Sequence, residues 1–430
     1  MIRVIFLVIK DFSNRPVLKG YDVKMACNLI PETTMAILTV NAGSSSLKFS
    51  VYPMLDGSVL PSILSGSFEG LEPGGDADLR YAYQGAQHTK RFRIPERDPF
   101  MAALGHLKEL LLDIDGLPSI QAVSHRIVHG GSEFFQPVIA TDTILEKLSA
   151  LSPLAPLHQS HSLDGVRAFS KAFPGIPQVL CFDTAFHKTM SNLETSLALP
   201  QEMTQQGVRR YGFHGISYQY IIGELIENSS RAKDKVLMAH LGNGASLCAA
   251  VDGKSIATTM GFSALDGLMM GTRSGSLDAG VLMYLVERGY THEQLQELLY
   301  RKSGLLGVST ISADMRKLRQ DSSPLAKQAI DLFTYRMIRE AGAMIACLGG
   351  LDLVSFSGGI GEHDSILRSA VCQKLSWLGI ELDEELNRSA TANFTLKISA
   401  PQSRIEVWVV PTDEGLMIAK EAVNLLRSEA

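Results

Sequence analysis

A turn of small residues between two alternating apolar segments constrains this chain more than any other feature. The segment reads Ile37-Leu-Thr-Val-Asn-Ala-Gly-Ser-Ser-Ser-Leu-Lys-Phe-Ser-Val-Tyr52. Short side chains let backbone N–H groups converge on an anion, and polar ends are supplied by Asn41, Ser44, Ser46 and Lys48. The turn therefore predicts a phosphate site, although the segment taken alone fits an ordinary hairpin with a serine-rich loop equally well.

Length and composition narrow the class of protein. At 430 residues the chain exceeds one compact core, so we expect two or three domains with a cleft between them. The 40 basic and 45 acidic residues give a net charge of -5, which disfavours a nucleic-acid partner but leaves room for local basic pockets that bind anions. Five scattered cysteines without a Cys-x-x-Cys pair predict neither a disulfide framework nor a zinc site, and they indicate a reducing compartment such as the cytoplasm.

The first 34 residues carry no periodic pattern that joins them to the rest of the chain. We expect residues 1–34 to be an N-terminal extension, either a disordered or loosely packed arm or the product of an upstream start. The apolar stretch 4–9 within it ends at Lys10 and Asp11, well short of a membrane span. No membrane partner is predicted.

From Met35 onward, strand patterns alternate with helical patterns, which predicts an α/β architecture. The predicted strands are 37–42, 46–53, 121–128, 178–183, 235–241, 245–251, 352–357 and 405–410. The predicted helices are 99–114, 158–173, 216–227, 277–289, 323–348 and 413–428. Breaks near 186–200 and 411–414 predict crossings between two lobes. The first lobe would comprise 35–190 with 415–430, and the second 191–414.

Three motifs place chemically capable side chains beside glycines or at strand ends. Arg126 ends an apolar strand, where its guanidinium fits a carboxylate or phosphate in two-point contact, or else forms a structural ion pair. Asp183 follows the next strand, where it would bind a metal, orient a substrate or merely cap its own turn. His214 lies between Gly212 and Gly215, which favours a ligand contact over a structural role.

Further glycine motifs suit phosphate groups. His240-Leu-Gly-Asn-Gly-Ala-Ser246 is a second small-residue turn between apolar strands, so the two turns together would hold two phosphates. Gly358-Gly-Ile-Gly-Glu362 follows a strand and precedes a helix, where a glycine turn can pass a nucleotide over the helix N-terminus. The Walker A pattern, the protein-kinase catalytic loop and the Ser-His-Asp elbow are all absent from the sequence. A P-loop or protein-kinase type of phosphate site is therefore excluded.

Three other positions have both a functional and a structural interpretation. Arg273 lies in a glycine-flanked loop that suits an anion. Asp314 either contacts a ligand or, like Ser312, caps a helix. Asp413 and Glu414 are either magnesium ligands or a favourable negative start to the last helix.

Seven motifs in this order resemble the acetate kinase family, from Met35 to the C-terminus. They are Asn-Ala-Gly-Ser-Ser-Ser-Leu-Lys, His-Arg-Ile-Val-His-Gly-Gly, Phe-Asp-Thr-Ala-Phe-His, Tyr-Gly-Phe-His-Gly, His-Leu-Gly-Asn-Gly, Gly-Thr-Arg-Ser-Gly and Gly-Gly-Ile-Gly-Glu. The resemblance implies an α/β fold with two similar lobes of the actin-like ATPase (ribonuclease H-like) type, an interlobe cleft and assembly as a homodimer.

The resemblance also implies roles for individual residues. Catalysis is assigned to Asp183, Arg126, Arg273 and His214. Substrate binding is assigned to Arg126, Val128, Leu157, His158, Phe213 and Ala264, and the metal to Asn41 and Glu414. Nucleotide binding is assigned to Ser44, Ser46, Lys48, His240, Gly242, Asn243, Gly244, Asp314, Met315, Arg316, Gly358, Gly359, Ile360, Gly361 and Glu362.

The implied reaction is reversible, direct in-line phosphoryl transfer from ATP to acetate, giving acetyl phosphate and ADP, a step that serves acetyl-CoA biosynthesis. Mg²⁺ is the expected ion, with Mn²⁺ able to replace it. A carboxylic acid has a pKa near that of Glu, about 4.3, so the substrate arrives ionised and needs no general base. We therefore interpret Asp183 as a residue that organises metal or arginine.

Three positions depart from the usual family pattern: Tyr218 replaces histidine, His363 replaces asparagine and Ala264 replaces proline. Loss of the proline would enlarge the pocket for the acid's methyl group, and one methylene is worth only about 1–3 kcal/mol there. A propionate or other short-chain acyl kinase therefore stays open as an alternative. A nucleotide-switched binding protein of the actin type is a further alternative, against which Arg126 and Arg273 argue.

Overall fold

The computed structural model describes residues 34–43, 45–155, 159–391 and 393–429. Residues 1–33 of the predicted extension lie outside the described residues, as do Ser44, Leu157 and His158. Within the described part, no helix combines the length and the apolar character that a membrane span requires.

The first sheet has nine strands and is formed by the N-terminal part of the chain. Its strands are β1 (Met35–Ala42), β2 (Ser46–Leu55), β3 (Ser58–Val59), β4 (Leu64–Glu69), β5 (Asp76–Tyr83), β6 (Ala86–Arg93), β7 (Ser119–Ile127), β8 (Val138–Ile139) and β9 (Gln178–Phe182). The order is β6-β5-β4-β2-β1-β7-β9-β8, with β3 paired to β2. β1 is antiparallel to β2 and parallel to β7, which is parallel to β9.

The second sheet has six strands and repeats this pattern. Its strands are β10 (Val236–Leu241), β11 (Ala245–Val251), β12 (Lys254–Thr258), β13 (Leu353–Ser357), β14 (Leu396–Lys397) and β15 (Glu406–Val409), in the order β12-β11-β10-β13-β15-β14. β10 is antiparallel to β11 and parallel to β13, which is parallel to β15. In each sheet, a glycine-containing turn thus links an antiparallel pair whose first strand begins a parallel run.

Helices cover both sheets. They are α1 (Pro99–Asp113), α2 (Asp142–Ser149), α3 (Gln159–Ala172), α4 (Asn192–Thr195), α5 (Gln201–Gln205), α6 (Gly215–Asn228), α7 (Ala279–Glu287), α8 (His292–Arg301), α9 (Gly304–Ser309), α10 (Met315–Gln320), α11 (Pro324–Leu348), α12 (Gly358–His363), α13 (Ser365–Lys374), α14 (Glu384–Ser389) and α15 (Glu414–Glu429). Short 3₁₀ turns occur at Ser152–Leu154, Ala185–Thr189, Ser230–Lys233 and Ser376–Leu378.

The last helix returns to the first sheet. Ile418, Ala419 and Ala422 of α15 are buried in one apolar cluster with Ile37 of β1 and Ala122 of β7. The i, i+4 spacing puts one apolar face of α15 onto the sheet. Because of this return, the residue at the start of α15, Glu414, lies close to the ends of β1 and β7.

All eight predicted strands and all six predicted helices are present, so the predicted two-lobed α/β fold is confirmed. The prediction missed β3 to β6, β8, β12 and β14, together with most of the short helices. β6 is exposed along almost its whole length because it is the edge strand, so it lacks the apolar alternation that identifies a strand. The boundaries proposed for the lobes remain a prediction.

Candidate active site

Arg126 and Asp183 lie side by side at the ends of adjacent parallel strands. In the β7–β9 register Arg126 pairs with Cys181, and Asp183 directly follows β9. Arg126 Nη2 donates a hydrogen bond to Asp183 Oδ2 at 2.7 Å, and the Asp183 side chain is only 1% exposed. Burial disfavours the charged guanidinium, but the charges of Asp183 and Glu414 outweigh it and raise the pKa of Arg126. The arginine is therefore firmly cationic.

His214 joins this pair through its backbone. Its N–H donates to Asp183 Oδ2 at 3.1 Å, and the residue has a left-handed conformation with φ +59° immediately before α6. Gly212 has φ +79°, and a Cβ there would lie 2.6 Å from a ring carbon of His187. This backbone course explains the glycine and brings the imidazole next to the Arg126–Asp183 pair.

Arg273 and the second glycine turn complete the cluster. A Cβ built on Gly244 would lie 3.1 Å from His214 Nε2 and 4.0 Å from Arg273 Nη1. Arg273 Nη1 donates to the Ala264 carbonyl at 3.1 Å, while burial and then repulsion from Arg126 lower its pKa. His214 therefore connects the two arginines: its backbone binds the carboxylate that holds Arg126, and its ring lies beside Arg273.

The Arg126 side chain also reaches the candidate metal residues. Its Nη1 lies 3.5 Å from Asn41 Oδ1, and its Nε lies 4.0 Å from Glu414 Oε2. Both residues line a cavity of about 210 Å³ that also contains Lys48 and Asp413. Burial raises the pKa of Glu414, and the charges of Arg126 and Lys48 oppose this shift.

These residues fit a magnesium ion by their chemistry. Asn41 and Glu414 offer hard oxygen donors, and Asp183 Oδ1 is buried with no hydrogen-bond partner among the described residues. No group of three or more His, Cys, Asp or Glu ligands occurs in the described part of the chain. A Mg²⁺ ion held here would complete its shell with waters and phosphate oxygens, as it commonly does.

A separate cavity of about 790 Å³ gathers several of the predicted nucleotide residues. Its lining includes Gly242, Asn243, Asp314, Met315, Arg316, Gly359 and Ile360, together with His363. Asp314 also accepts the Arg316 backbone N–H at 2.9 Å and so caps α10. The structural interpretation of Asp314 is thus present in the fold, beside its position on the cavity wall.

Other predicted nucleotide residues lie away from this lining. Glu362 is buried, and its Oε1 accepts the backbone N–H groups of Gly358 at 2.8 Å and of Thr412 at 3.2 Å. A Cβ on Gly358 would lie 2.7 Å from the Leu241 carbonyl oxygen, and one on Gly361 would touch Phe356. These three residues support the backbone behind the cavity.

The two small-residue turns place Lys48 and His240 close to these residues. Ser46 opens β2, and its Oγ would lie 3.0 Å from a Cβ on Gly43. Lys48 pairs with Asn41 across the β1–β2 hairpin. In the second turn, the His240 ring lies 4.4 Å from the His214 ring, and burial lowers the pKa of His240 to about 4. Lys48 therefore lies near Arg126, with which it lines one cavity, and His240 lies beside His214.

Three of the predicted substrate residues share one apolar cluster. Val128 and Phe213 are buried in it, and the partly buried Ala264 packs against it. The Ala264 carbonyl already binds Arg273, so this apolar wall adjoins the cationic cluster. Leu157 and His158 lie outside the described residues, and their positions are not assigned.

Sequence reasoning missed a set of hydroxyl groups around the two imidazoles. Ser246 Oγ lies 2.8 Å from His214 Nδ1, and Ser217 Oγ lies 2.8 Å from His240 Nδ1. Thr412 Oγ1 lies 2.9 Å from Ser217 Oγ. Each hydroxyl is 23 or more residues from its partner in the chain, so no local sequence signal marks it.

Comparisons with known proteins identify the family. The model of the acetokinase family matches residues 36–420. The chain is 45% identical over 405 residues to the acetate kinase of Rhodopseudomonas palustris, covering 90% of this chain and 98% of that relative. It is 43% identical over 397 residues to the acetate kinase of Nitrobacter hamburgensis, covering 91% and 96% respectively.

Solved structures of an acetate kinase and a propionate kinase are similar to this chain over most of its length. The crystal structure of Porphyromonas gingivalis acetate kinase has a TM-score of 0.82 and 36% identity, covering 91% of this chain and all of that one (100%). The crystal structure of a propionate kinase from Francisella tularensis has a TM-score of 0.83 and 35% identity, covering 90% and 98%.

The fold and the site define a two-lobed kinase with the actin-like ATPase fold, in which Arg126, on a strand of the first sheet, lies near His214 and Arg273. The family model spans most of the chain, and relatives exceed 40% identity over nine-tenths of it. The chain belongs to the acetokinase family. The predicted family is thereby confirmed.

Proposed function

We propose that this chain catalyses reversible, magnesium-dependent phosphoryl transfer between ATP and acetate by direct in-line transfer. The observation that carries the proposal is that Arg126 and the His214 backbone both bind Asp183, while the His214 imidazole and Arg273 lie together beside Gly244. A phosphoryl group in transfer spreads negative charge over its equatorial oxygens, and positioned cations and hydrogen-bond donors stabilise that charge. The similarity to acetate kinases supports the same reaction.

Asp183 acts in this proposal as the organiser of the site. One of its oxygens binds both the Arg126 guanidinium and the His214 backbone. The acid substrate is already ionised at neutral pH, since a carboxyl group of this kind has a pKa of about 4.3. No proton has to be removed from it, and Asp183 is free to hold the cation in place.

Mg²⁺ is the proposed ion, held from the protein by Asn41 and Glu414, with Mn²⁺ as a substitute. Bound there, it would neutralise charge on the nucleotide phosphates. Lys48 lines the same cavity and adds a positive charge near those phosphates. The cavity that contains Asn243, Asp314 and Gly359 is the proposed site for the rest of the nucleotide, whose purine preference is open.

Acetate is the proposed acid, with propionate as the second candidate. The second candidate is favoured by Ala264, which is smaller than the proline common in the family, and by the similarity to a propionate kinase. The apolar wall formed by Val128, Phe213 and Ala264 would contact the alkyl group. Values of kcat/KM for acetate, propionate and butyrate separate the candidates, and a tenfold preference for propionate would overturn the choice of acetate.

A hydroxylamine trap tests the reaction itself. Acetate, ATP and Mg²⁺ are incubated with the enzyme, and acetyl phosphate is captured as acetohydroxamate. The proposal expects acetohydroxamate to form in step with ADP. If ATP turnover occurs without any trapped product and does not respond to acetate, the chain is a nucleotide-switched binding protein instead.

We also propose a homodimer formed through an apolar face of the second lobe. The exposed residues on or near α7 include Leu277, Val281, Met283, Tyr284, Val286 and Tyr290, and Leu325, Leu332 and Tyr335 are exposed on α11. Large exposed apolar patches mark protein interfaces. Sedimentation equilibrium is expected to give a dimer, and Tyr284→Glu is expected to weaken it, with the exposed Phe394→Glu as control.

The cytoplasm is the proposed location. Cys181, Cys248, Cys347 and Cys372 are all free thiols in the described part of the chain. Free thiols in this number fit a reducing compartment. Fractionation of the source cells, followed by detection of the protein with an antibody, tests this proposal.

A further inference from the structure

The tyrosine that departs from the family pattern ends a short chain of hydroxyl groups on His214. Tyr218 Oη lies 2.5 Å from Ser246 Oγ, and Ser246 Oγ lies 2.8 Å from His214 Nδ1. Tyr218 and Ser246 are both fully buried. The hydroxyl protons of Tyr218 and Ser246 therefore each need an acceptor among these three side chains, because a buried donor without an acceptor is costly.

The donor in each of these hydrogen bonds can be deduced by starting from the buried Tyr218 hydroxyl. The Tyr218 hydroxyl has Ser246 Oγ as its side-chain partner. Burial keeps the phenol protonated by raising its pKa well above the ordinary value. The phenolic proton is therefore donated to Ser246.

Ser246 in turn has one proton to place. Its hydroxyl accepts from Tyr218, and the other side-chain partner among the described residues is His214 Nδ1. A hydroxyl that accepts on one side donates on the other. His214 Nδ1 is then the acceptor, and in a neutral imidazole the ring proton must be on Nε2.

His214 Nε2 lies beside the second glycine turn and near Arg273. A Cβ on Gly244 would be 3.1 Å from Nε2, with Arg273 Nη1 close to the same position. Burial lowers the pKa of His214 well below its ordinary value and so keeps the ring neutral, and His240, Arg126 and Arg273 act in the same direction. A neutral imidazole with its lone pair on Nε2 would repel an anionic phosphoryl group, whereas an Nε2–H would donate to it.

We propose that Ser246 and Tyr218 are positioning residues that hold His214 in the tautomer with the proton on Nε2, so that this N–H faces the phosphoryl-transfer position. The inference rests on the proposed function for its catalytic meaning. The tautomer itself is a property of the protein alone and is measurable without substrate.

NMR spectroscopy of protein labelled with ¹⁵N-histidine is the direct test. At neutral pH, the His214 signals, assigned by their loss in His214→Gln, are expected to show a protonated Nε2 and an unprotonated Nδ1. Tyr218→Phe keeps the ring and removes only the hydroxyl, so it is expected to add signal from the Nδ1–H form. A protonated Nδ1 in the unsubstituted protein, or no change in Tyr218→Phe, would overturn the proposal.

Kinetics supply the second readout. Tyr218→Phe and Ser246→Ala are each expected to lower kcat by about threefold to tenfold, the range that one hydrogen bond provides, with little change in KM for ATP. Because Tyr218 acts only through Ser246, the double variant is expected to lose no more than Ser246→Ala alone. If the two losses in kcat instead multiply in the double variant, Tyr218 does not act through Ser246, and the proposal is contradicted.

Tyr211→Phe is the matched control. Tyr211 is also a buried residue, and its hydroxyl donates to the Gly207 carbonyl at 2.8 Å, without contact to His214. This variant is expected to leave both the His214 signals and kcat unchanged. If it lowers kcat as much as Tyr218→Phe does, the loss reflects removal of any tyrosine hydroxyl and not the contact with His214. If no acyl phosphate forms in any variant, the proposed function fails, and the NMR result still decides the tautomer.

Discussion

The Arg126 guanidinium has two roles: it is the counter-ion of Asp183 and a cation of the proposed reaction centre. Removing it affects both. In Arg126→Met, the side chain keeps most of its length but loses its charge. Asp183 Oδ2 then retains only the His214 backbone N–H at 3.1 Å. The substitution therefore strips a cation from the proposed reaction centre and leaves a carboxylate that is 1% exposed without its counter-ion.

The two consequences have different sizes. Breaking a buried ion pair by removing one partner costs about 3–5 kcal/mol of folding stability. Since Arg126 is 21% exposed, we expect the lower end of that range. Loss of an arginine that stabilises a transferring phosphoryl group lowers the rate by at least about a thousandfold, which corresponds to about 4 kcal/mol of transition-state stabilisation.

A second substitution separates these effects. Arg126→Met combined with Asp183→Asn removes both charges, so the double variant is expected to regain much of the lost stability, measured by urea denaturation. Its rate of acetohydroxamate formation is expected to stay at least about a thousandfold below that of the unsubstituted enzyme.

Arg210→Met is the matched control for losing a guanidinium. Arg210 is also 21% exposed and has acidic partners, Glu194 at 3.5 Å and Asp266 at 3.7 Å. It is expected to lose stability but to keep kcat/KM within about tenfold of the unsubstituted value. If Arg126→Met instead keeps kcat/KM within that range, the guanidinium does not face the transferring group and the proposed site is wrong.

Three further predictions test neighbouring features. Gly244→Ala would place a Cβ 3.1 Å from the imidazole of the site, and we expect steady-state kcat to fall at least several-fold, whereas Gly223→Ala, where a Cβ meets nothing within 4 Å, is expected to be neutral. Glu414→Gln is expected to raise the Mg²⁺ concentration needed for half-maximal rate several-fold, and an unchanged titration would remove this carboxylate from the metal site. Burial lowers the pKa values of His125 and His187 to about 4, so the unfolded chain takes up these protons first, and stability is expected to fall as the pH drops from about 6.5 to about 4. Urea midpoints at pH 7.5 and pH 5 check this, and equal midpoints would contradict it.

The local signals in the sequence were strong where periodicity and turn chemistry agree. The alternation before and after the turn at 43–45 predicted β1 and β2, and the glycines around 242–244 predicted the second hairpin. These features depend on residues within a few positions of one another, so they can be read without the fold. The polar edge strand β6 escaped because an exposed strand carries no such alternation.

The amino-acid sequence by itself determined which elements form and which residue types stand at strand ends and glycine turns. Only the tertiary structure decided which of those residues meet: Arg126 binds an aspartate 57 positions away, and Ser246 binds an imidazole 32 positions away. It also showed that Glu362 is used by the backbone rather than exposed on the cavity wall. The reason is physical, since pattern along a chain reflects local geometry and burial, whereas a hydrogen bond between residues far apart in the chain depends on how the strands and helices pack together.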